Sequence, residues 1–316
     1  MYKSAVLVMC VMLWSCSSKP RNVAAKGDSK PGPAKETLPA SLFPVRVKGK
    51  WGYINKSGDI VLPPTYAGAS RFSDGLAAVQ VNVAGKVGYI DETGKMVIPA
   101  QFDLGDPFSE GLAAVMKSQK WGYIDKSGKL IVAQVFSSGE HFSEGVAGVL
   151  YQEGVGRVYG YINPSAHWVI QPRYESAHPF SEGVAAVRVF GELYSFIDPT
   201  GKTVIAPQYT TAGDFSQGLA PVEVQTSEGM RWGYINKEGK IVISARFTRA
   251  YPFADGLAAV QVPGPGKWGY INLEGTLTIP AKFDKAANFT GGLAGIEVEN
   301  QDGYINKEGK YVWEPR

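Results

Sequence analysis

The sequence predicts an all-β protein of eight tandem units, and three observations carry that expectation. The first is a strand core that recurs at Gly52-Tyr53-Ile54, Gly88-Tyr89-Ile90, Gly122-Tyr123-Ile124, Gly160-Tyr161-Ile162, Ser195-Phe196-Ile197, Gly233-Tyr234-Ile235, Gly269-Tyr270-Ile271 and Gly303-Tyr304-Ile305. Successive cores are 34 to 38 residues apart. The second is a turn signature between the cores, from "FSDGLAAV" at Phe72 through "FSEGLAAV" at Phe108 to "FTGGLAGI" at Phe289. The third is that the strands are apolar on both faces, so that each sheet has to be covered twice.

Each unit reads as three short antiparallel strands: "LAAVQV", a tight turn, "WGYIN", a Lys-Ser/Glu-Gly turn, and "IVLPP" or its equivalents. Gly58, Gly94, Gly128, Gly201, Gly239, Gly275 and Gly309 fall where the second turn requires positive φ. Pro63, Pro99, Pro172 and Pro280 fall toward the end of the third strand, where the loss of a donor costs least. Copy one opens on "PVRV" and copy eight ends on "YVWEP", so the array reads as beginning and ending on whole units. Trp51 and Tyr53 point to one face of the middle strand, Gly52 and Ile54 to the other. Sheets apolar on both faces stack face to face, either as a propeller-like ring or as an open β-superhelix. The Ala and Gly positions are expected to let neighbouring sheets approach closely.

At the other end, "MYKSAVLVMCVMLWSC" places one Lys before an apolar run too short for a membrane span but long enough for a signal-peptide core. Its end, Leu13-Trp14-Ser15-Cys16, resembles the bacterial lipoprotein signal. That resemblance implies a signal peptide over 1–15, lipidation at Cys16 and a lipid-anchored protein of the bacterial cell envelope. Ser17 does not match the Asp associated with retention in the inner membrane, which points to the outer membrane. Cys10 and Cys16 are the two cysteines of the chain, and removal of the signal leaves neither a disulfide nor a Cys metal site. Residues 16–43, rich in Pro, Lys, Ala and Ser, read as a tether, with the repeat domain over 44–316. The net charge is +3, yet residues 1–44 hold six basic residues and two acids, leaving 45–316 at −1. A near-neutral body excludes a concentrated basic face and hence nucleic acid as a partner.

With eight copies in phase, the repeats resemble the WG-repeat family of bacterial proteins, over essentially all of 45–316. Three groups of residues are candidates for chemistry. The acids of the turn signature, Asp74, Glu110, Glu144, Glu182 and Asp255, are interrupted by Gln217 and Gly292 and read as solvated turn residues beside a required glycine. Trp51, Trp121, Trp232 and Trp268 share one position with Tyr159 and Tyr194. They read first as packing residues against the next sheet, and second as an aromatic rim suited to glycan or peptidoglycan rings or to a protein. His141, His167 and His178 cluster near irregular copies four and five and form a weak set of metal candidates. No nucleophile-elbow, phosphate-loop or metalloprotease motif occurs. The expectation is therefore a non-enzymatic protein without cofactor that binds a protein partner, with glycan binding as the alternative. Substituting Cys16→Ala should release the protein from membrane fractions as a precursor of altered mobility; retention as tight as that of the wild type on carbonate extraction would refute the lipid anchor.

Overall fold

The computed structural model describes residues 42–153 and 156–315. The signal segment, Cys16 and the tether up to Ser41 lie outside the described residues. Leu42 and Phe43, which the sequence assigns to the tether, are buried, and Phe43 opens the first strand.

The described chain is all β: eight small antiparallel sheets form an eight-bladed propeller. Blade 1 comprises β1 (Phe43–Val47), β2 (Lys50–Ile54) and β3 (Ile60–Tyr66). Blade 2 adds a short first strand: β4 (Gly68–Ala69), β5 (Leu76–Gln80), β6 (Val87–Asp91) and β7 (Met96–Phe102), paired in that order. Blades 3 to 8, over 104–136, 138–174, 176–209, 211–247, 249–283 and 285–313, repeat the four-stranded pattern. The sequence leads one to expect three strands per unit. The fourth is two residues long, too short to carry an alternation, and Ala67 alone separates it from the last strand of the preceding blade. Among the described residues there are 31 strands, one short of eight four-stranded sheets, and the missing one is the short first strand of blade 1.

Both faces of each blade are covered by its neighbours. Tyr89 and Phe102 of blade 2 pack with Ala113, Val115 and Ile124 of blade 3, and the same combination recurs around the molecule. The last cluster joins the ends of the chain: Phe43, Val45 and Ile54 pack on Leu293, Tyr304 and Trp313. Of the two arrangements open from sequence, the closed ring is the one adopted. Among the described residues no strand is exchanged at the closure; face-to-face burial holds it.

The glycine of Trp-Gly works within a blade, not between blades as the sequence leads one to expect. Trp51 pairs with Tyr66 and Tyr53 with Leu62, so three residues of β3, Pro63, Pro64 and Thr65, oppose Gly52 alone and bulge over it. A Cβ on Gly122 in the same setting would lie 2.5 Å from the Val132 carbonyl oxygen and 2.8 Å from the Gln134 nitrogen. Prolines 63 and 64 lie on this bulge, where the ladder is already interrupted. Blade 5 keeps the bulge with buried Ser195 in the glycine's place. The second hairpin of each blade is nucleated by an Asn or Asp that the sequence reading passed over. In blade 3 Asp125 Oδ1 accepts from the N–H groups of Ser127 (2.9 Å) and Lys129 (3.0 Å) and from the Ser127 hydroxyl (2.6 Å). These bonds hold the Asp125 carboxyl below its ordinary range, the Ser127 hydroxyl contributing most.

Gly122→Ala should therefore lower stability by about 1–3 kcal/mol or more through overpacking, whereas Ser195→Gly should change it by less than about 1 kcal/mol. Urea melts of both variants check this, and equal midpoints would refute the steric account.

Candidate functional site

The Phe-Ser-Glu-Gly turns are two-residue hairpins of type I′. Ser73 N–H bonds Leu76 O (2.9 Å), Leu76 N–H bonds Ser73 O (3.0 Å), and the central residues Asp74 and Gly75 have φ of 52° and 82°. A left-handed Asp or Glu costs about 1–2 kcal/mol. Its carboxylate offsets that cost by bonding the next blade. Asp74 accepts from Gly111 N–H (2.8 Å), Glu110 from Glu144 and Gly145 N–H (2.7 and 2.9 Å), and Glu144 from Gly183 N–H (3.0 Å). Glu182, Gln217 and Asp255 continue with Gly218, Gly256 and Gly292. These acids are therefore inter-blade ties rather than purely solvated turn residues, and Gln217 serves as well because an amide oxygen also accepts. The structural equivalent of the acids in blade 8 is Gly291, not Gly292. It stands in the last blade, after which no further turn of this kind is found among the described residues.

A second tie uses the tyrosine of the strand core. Tyr53, Tyr89, Tyr123, Tyr161, Tyr234 and Tyr270 donate to the carbonyls of Ser70, Asp106, Glu140, His178, Tyr251 and Ala287 in the next blade, at 2.7–3.0 Å. Each ring also packs on the phenylalanine of the following turn, as Tyr89 does on Phe108 with centroids 4.9 Å apart. At the closure Tyr304 donates to Pro44 O at 2.8 Å and its ring meets Phe43 at 5.8 Å. Pro44 is the register equivalent of Ala78, since each pairs with the core tyrosine of its own blade. The Ala78 carbonyl accepts from Ser70 N–H of the short-strand loop (2.9 Å), whereas Pro44, with no such loop beside it, offers its carbonyl to Tyr304. Proline also removes the N–H that this edge would otherwise leave unsatisfied.

The shared aromatic position lies at the packing between blades. Trp268 is 5% exposed and stacks on Tyr251 at 5.0 Å, and Tyr194 is 8% exposed. Trp51, Trp121, Tyr159 and Trp232 are half-buried, with Trp121 and Trp232 packed on the clusters that join their blades to the next.

The histidines do not converge. His167 sits exposed in the second hairpin of blade 4. His178 Nδ1 lies 2.8 Å from Asp214 Oδ1 in the next blade, so one acidic partner comes from long range. His141 lines a cavity with Asp106 and Glu140. Burial, with Glu140 nearby, raises the Asp106 carboxyl above its ordinary range, and His141 opposes that shift. Among the described residues no group of three His, Cys, Asp or Glu is placed to hold a metal.

These last residues belong to two repeat positions just before the turn phenylalanine: Ser70-Arg71, Asp106-Pro107, Glu140-His141, His178-Pro179, Gly213-Asp214, Tyr251-Pro252 and Ala287-Asn288. Arg71 of blade 2, Tyr251 of blade 7 and Asn288 of blade 8 line one cavity, so the two positions face the axis of the ring. Adjoining it is a cavity of about 350 Å³ at the seam between blades 1 and 8. Val45, Arg46 and Trp51 wall one side, Lys285, Ala286, Ile296 and Asp302 the other. It occupies the place of the short strand that blade 1 lacks, and among the described residues β1 pairs only with β2. The sequence signal for it was the absence of a Phe-Ser-x-Gly turn before Leu42.

A family profile described as "WG containing repeat" matches residues 51–86, 88–121, 121–154, 159–192, 194–225, 232–264 and 268–301. No curated protein matches the sequence. Among solved structures, the chain is similar to the computationally designed Ika8 protein (TM-score 0.49, 11% identity, covering 87% of this chain and 96% of that one). It is similar also to BamB from Moraxella catarrhalis (TM-score 0.47, 12% identity, 80% and 92%) and to apo AztD from Citrobacter koseri (TM-score 0.44, 12% identity, 86% and 93%).

Burial raises the hydroxyls of the tying tyrosines: Tyr304 is pushed up to about 12, and Tyr53, Tyr89, Tyr123, Tyr161, Tyr234 and Tyr270 go higher still. Below the free-tyrosine value of 10.0 both folded and unfolded chains keep these protons. Above it only the unfolded chain ionises, so stability is full below pH 10 and falls as pH rises toward the folded values, by about 1.4 kcal/mol per pH unit per buried tyrosine. Absorbance titration at 295 nm should show these tyrosines ionising only together with loss of the β circular dichroism signal; their ionisation near pH 10 in folded protein would refute the ties.

Proposed function

Because the chain belongs to the WG-containing-repeat family, we propose that it is a non-enzymatic interaction protein of the bacterial cell envelope, lipid-anchored at Cys16, whose eight-bladed ring binds another protein non-covalently. The observation that carries this reading is the edge of β1 beside Arg46 at the seam cavity, which has no partner strand among the described residues. A sheet edge beside an apolar wall is an element by which one protein chain recognises another. A second feature supports it. The repeated polar groups, the turn acids and the tyrosine hydroxyls, are spent on neighbouring blades, while the axis-facing positions differ from copy to copy and so compose one non-repeating surface. The anchor rests on the lipoprotein-like Leu13-Trp14-Ser15-Cys16, and Ser17 favours the outer membrane.

Glycan or peptidoglycan binding through the repeated aromatic position is the second reading, favoured by Trp51, which is half-buried and lines the seam cavity. A photo-crosslinking amino acid at Arg46, with another at exposed Leu130 as the distant control, separates the two in intact envelopes. Protein adducts specific to the Arg46 position are expected. Retention of the protein on peptidoglycan or glycan resin, with no protein adduct at Arg46, would overturn the interaction reading in favour of the second.

A further inference from the structure

We propose that the seam groove binds an extended peptide segment of a partner protein, laid antiparallel on β1 as the missing short strand, with an acidic residue directed at Arg71. The proposal deepens the interaction reading and rests on it.

Seven blades show what occupies this place. The second residue of every short strand is small: Ala69, Gly105, Gly139, Ala177, Ala212, Ala250 and Ala286. The reason is steric, since a Cβ on Gly105 would lie 2.6 Å from the Tyr89 hydroxyl and one on Gly139 2.7 Å from that of Tyr123. The strand is held by backbone bonds such as Ala67 N–H to Gln80 O at 2.7 Å. In blade 1 the register equivalent of Gln80 is Arg46, whose edge has no partner strand among the described residues. Three residues beyond the small one comes the phenylalanine that packs on the tyrosine of the preceding blade. At the seam Phe43 already meets the ring of Tyr304, the tyrosine of the preceding blade, so an incoming segment is expected to carry the small residue but needs no aromatic one.

Charge sets the residue after the small one. Around the axis, the first of the two facing positions in one blade meets the second in the next: His178 meets Asp214 at 2.8 Å, and Asp106 is close enough to His141 to feel its charge. Arg71 holds the second position in blade 2, so its counterpart would come from the loop that blade 1 lacks. No carboxylate of the described residues lies within ion-pair distance of it. Arg71 shares its cavity with Asn288, whose side-chain oxygen is buried and has no hydrogen-bond partner. An acid after the small residue satisfies the guanidinium, and a backbone N–H of the same segment suits the amide oxygen. The competing occupant is the chain's own stretch before Leu42, but its Leu38-Pro39-Ala40-Ser41 lacks the glycine on which the seven other turns depend.

The test uses the full chain in detergent and a fluorescein-labelled peptide Ser-Ser-Gly-Glu-His, which copies residues 137–141 and carries the small residue followed by the acid. Fluorescence anisotropy should show saturable binding at one peptide per chain. Replacing the peptide's Glu by Lys should weaken binding at least about tenfold. In Arg71→Glu protein the preference should reverse, so that the Lys peptide binds better than the Glu peptide; this swap reads recognition directly and does not depend on a variant that risks misfolding. Equal binding of the two peptides, or a preference unmoved by Arg71→Glu, would overturn the proposal. So would binding that appears only after deletion of residues 17–41, which would assign the groove to the chain itself. Loss of the peptide result with Arg46 protein adducts intact would sink this inference alone; loss of the adducts would sink the interaction reading.

Discussion

A blade of this protein has two apolar faces, and no single blade can bury either of them. Everything else in the architecture follows from that constraint. Each blade needs a neighbour on both sides, so an open array leaves two uncovered faces, and a closed ring leaves none. Phe43, Val45 and Ile54 cover the last exposed face by meeting Leu293, Tyr304 and Trp313. Because burial itself drives closure, the ring needs neither a disulfide nor an exchanged strand. The tyrosine hydroxyls then fix the rotation of seven of the eight blades on the next, blade 5 having Phe196 in that place, since a buried phenol without a partner is costly and each has one acceptor within reach.

Two kinds of position result. The core tyrosine, the turn acid and the turn phenylalanine are bound by their neighbours and vary little. The two positions before the phenylalanine face the axis, and no two blades carry the same pair of side chains there. Repetition thus builds the frame, and whatever the protein recognises is written in the few places that the frame leaves unassigned. The seam is one of these, because among the described residues blade 1 has one strand fewer than the others.

The repeats, the antiparallel order and the two-faced burial were legible in the sequence because eight copies average out local ambiguity: Tyr53 and Ile54 keep their faces in every blade. What stayed hidden depended on relations between blades. A two-residue strand such as Gly68–Ala69 has no period to detect. The role of Glu110 as an acceptor for Gly145 N–H, 35 residues away, cannot be read from a turn that already has a local explanation. The glycine of Trp-Gly was recognised as a site of close approach but given the wrong neighbour, since only the pairing register shows the third strand folding over it. Half-burial of Trp51 and Trp121 falls between the packing and rim readings because the indole lies along an edge shared by two blades.

The ladder of turn carboxylates has a direction. Each acid reaches forward to the next turn; among the described residues Asp74 is the first of them, and Gly291 takes the place of an acid at the last. The carboxylate joint therefore recurs through the interior blades, with the Gln217 amide standing in for it in blade 6, while the tyrosine joint lapses once, at Phe196 of blade 5. An interior unit can be duplicated or lost in the course of descent without a new joint having to arise. The only thing such a change must satisfy is the angle at which the first and last blades meet, so the copy number of the array is limited by geometry and not by chemistry.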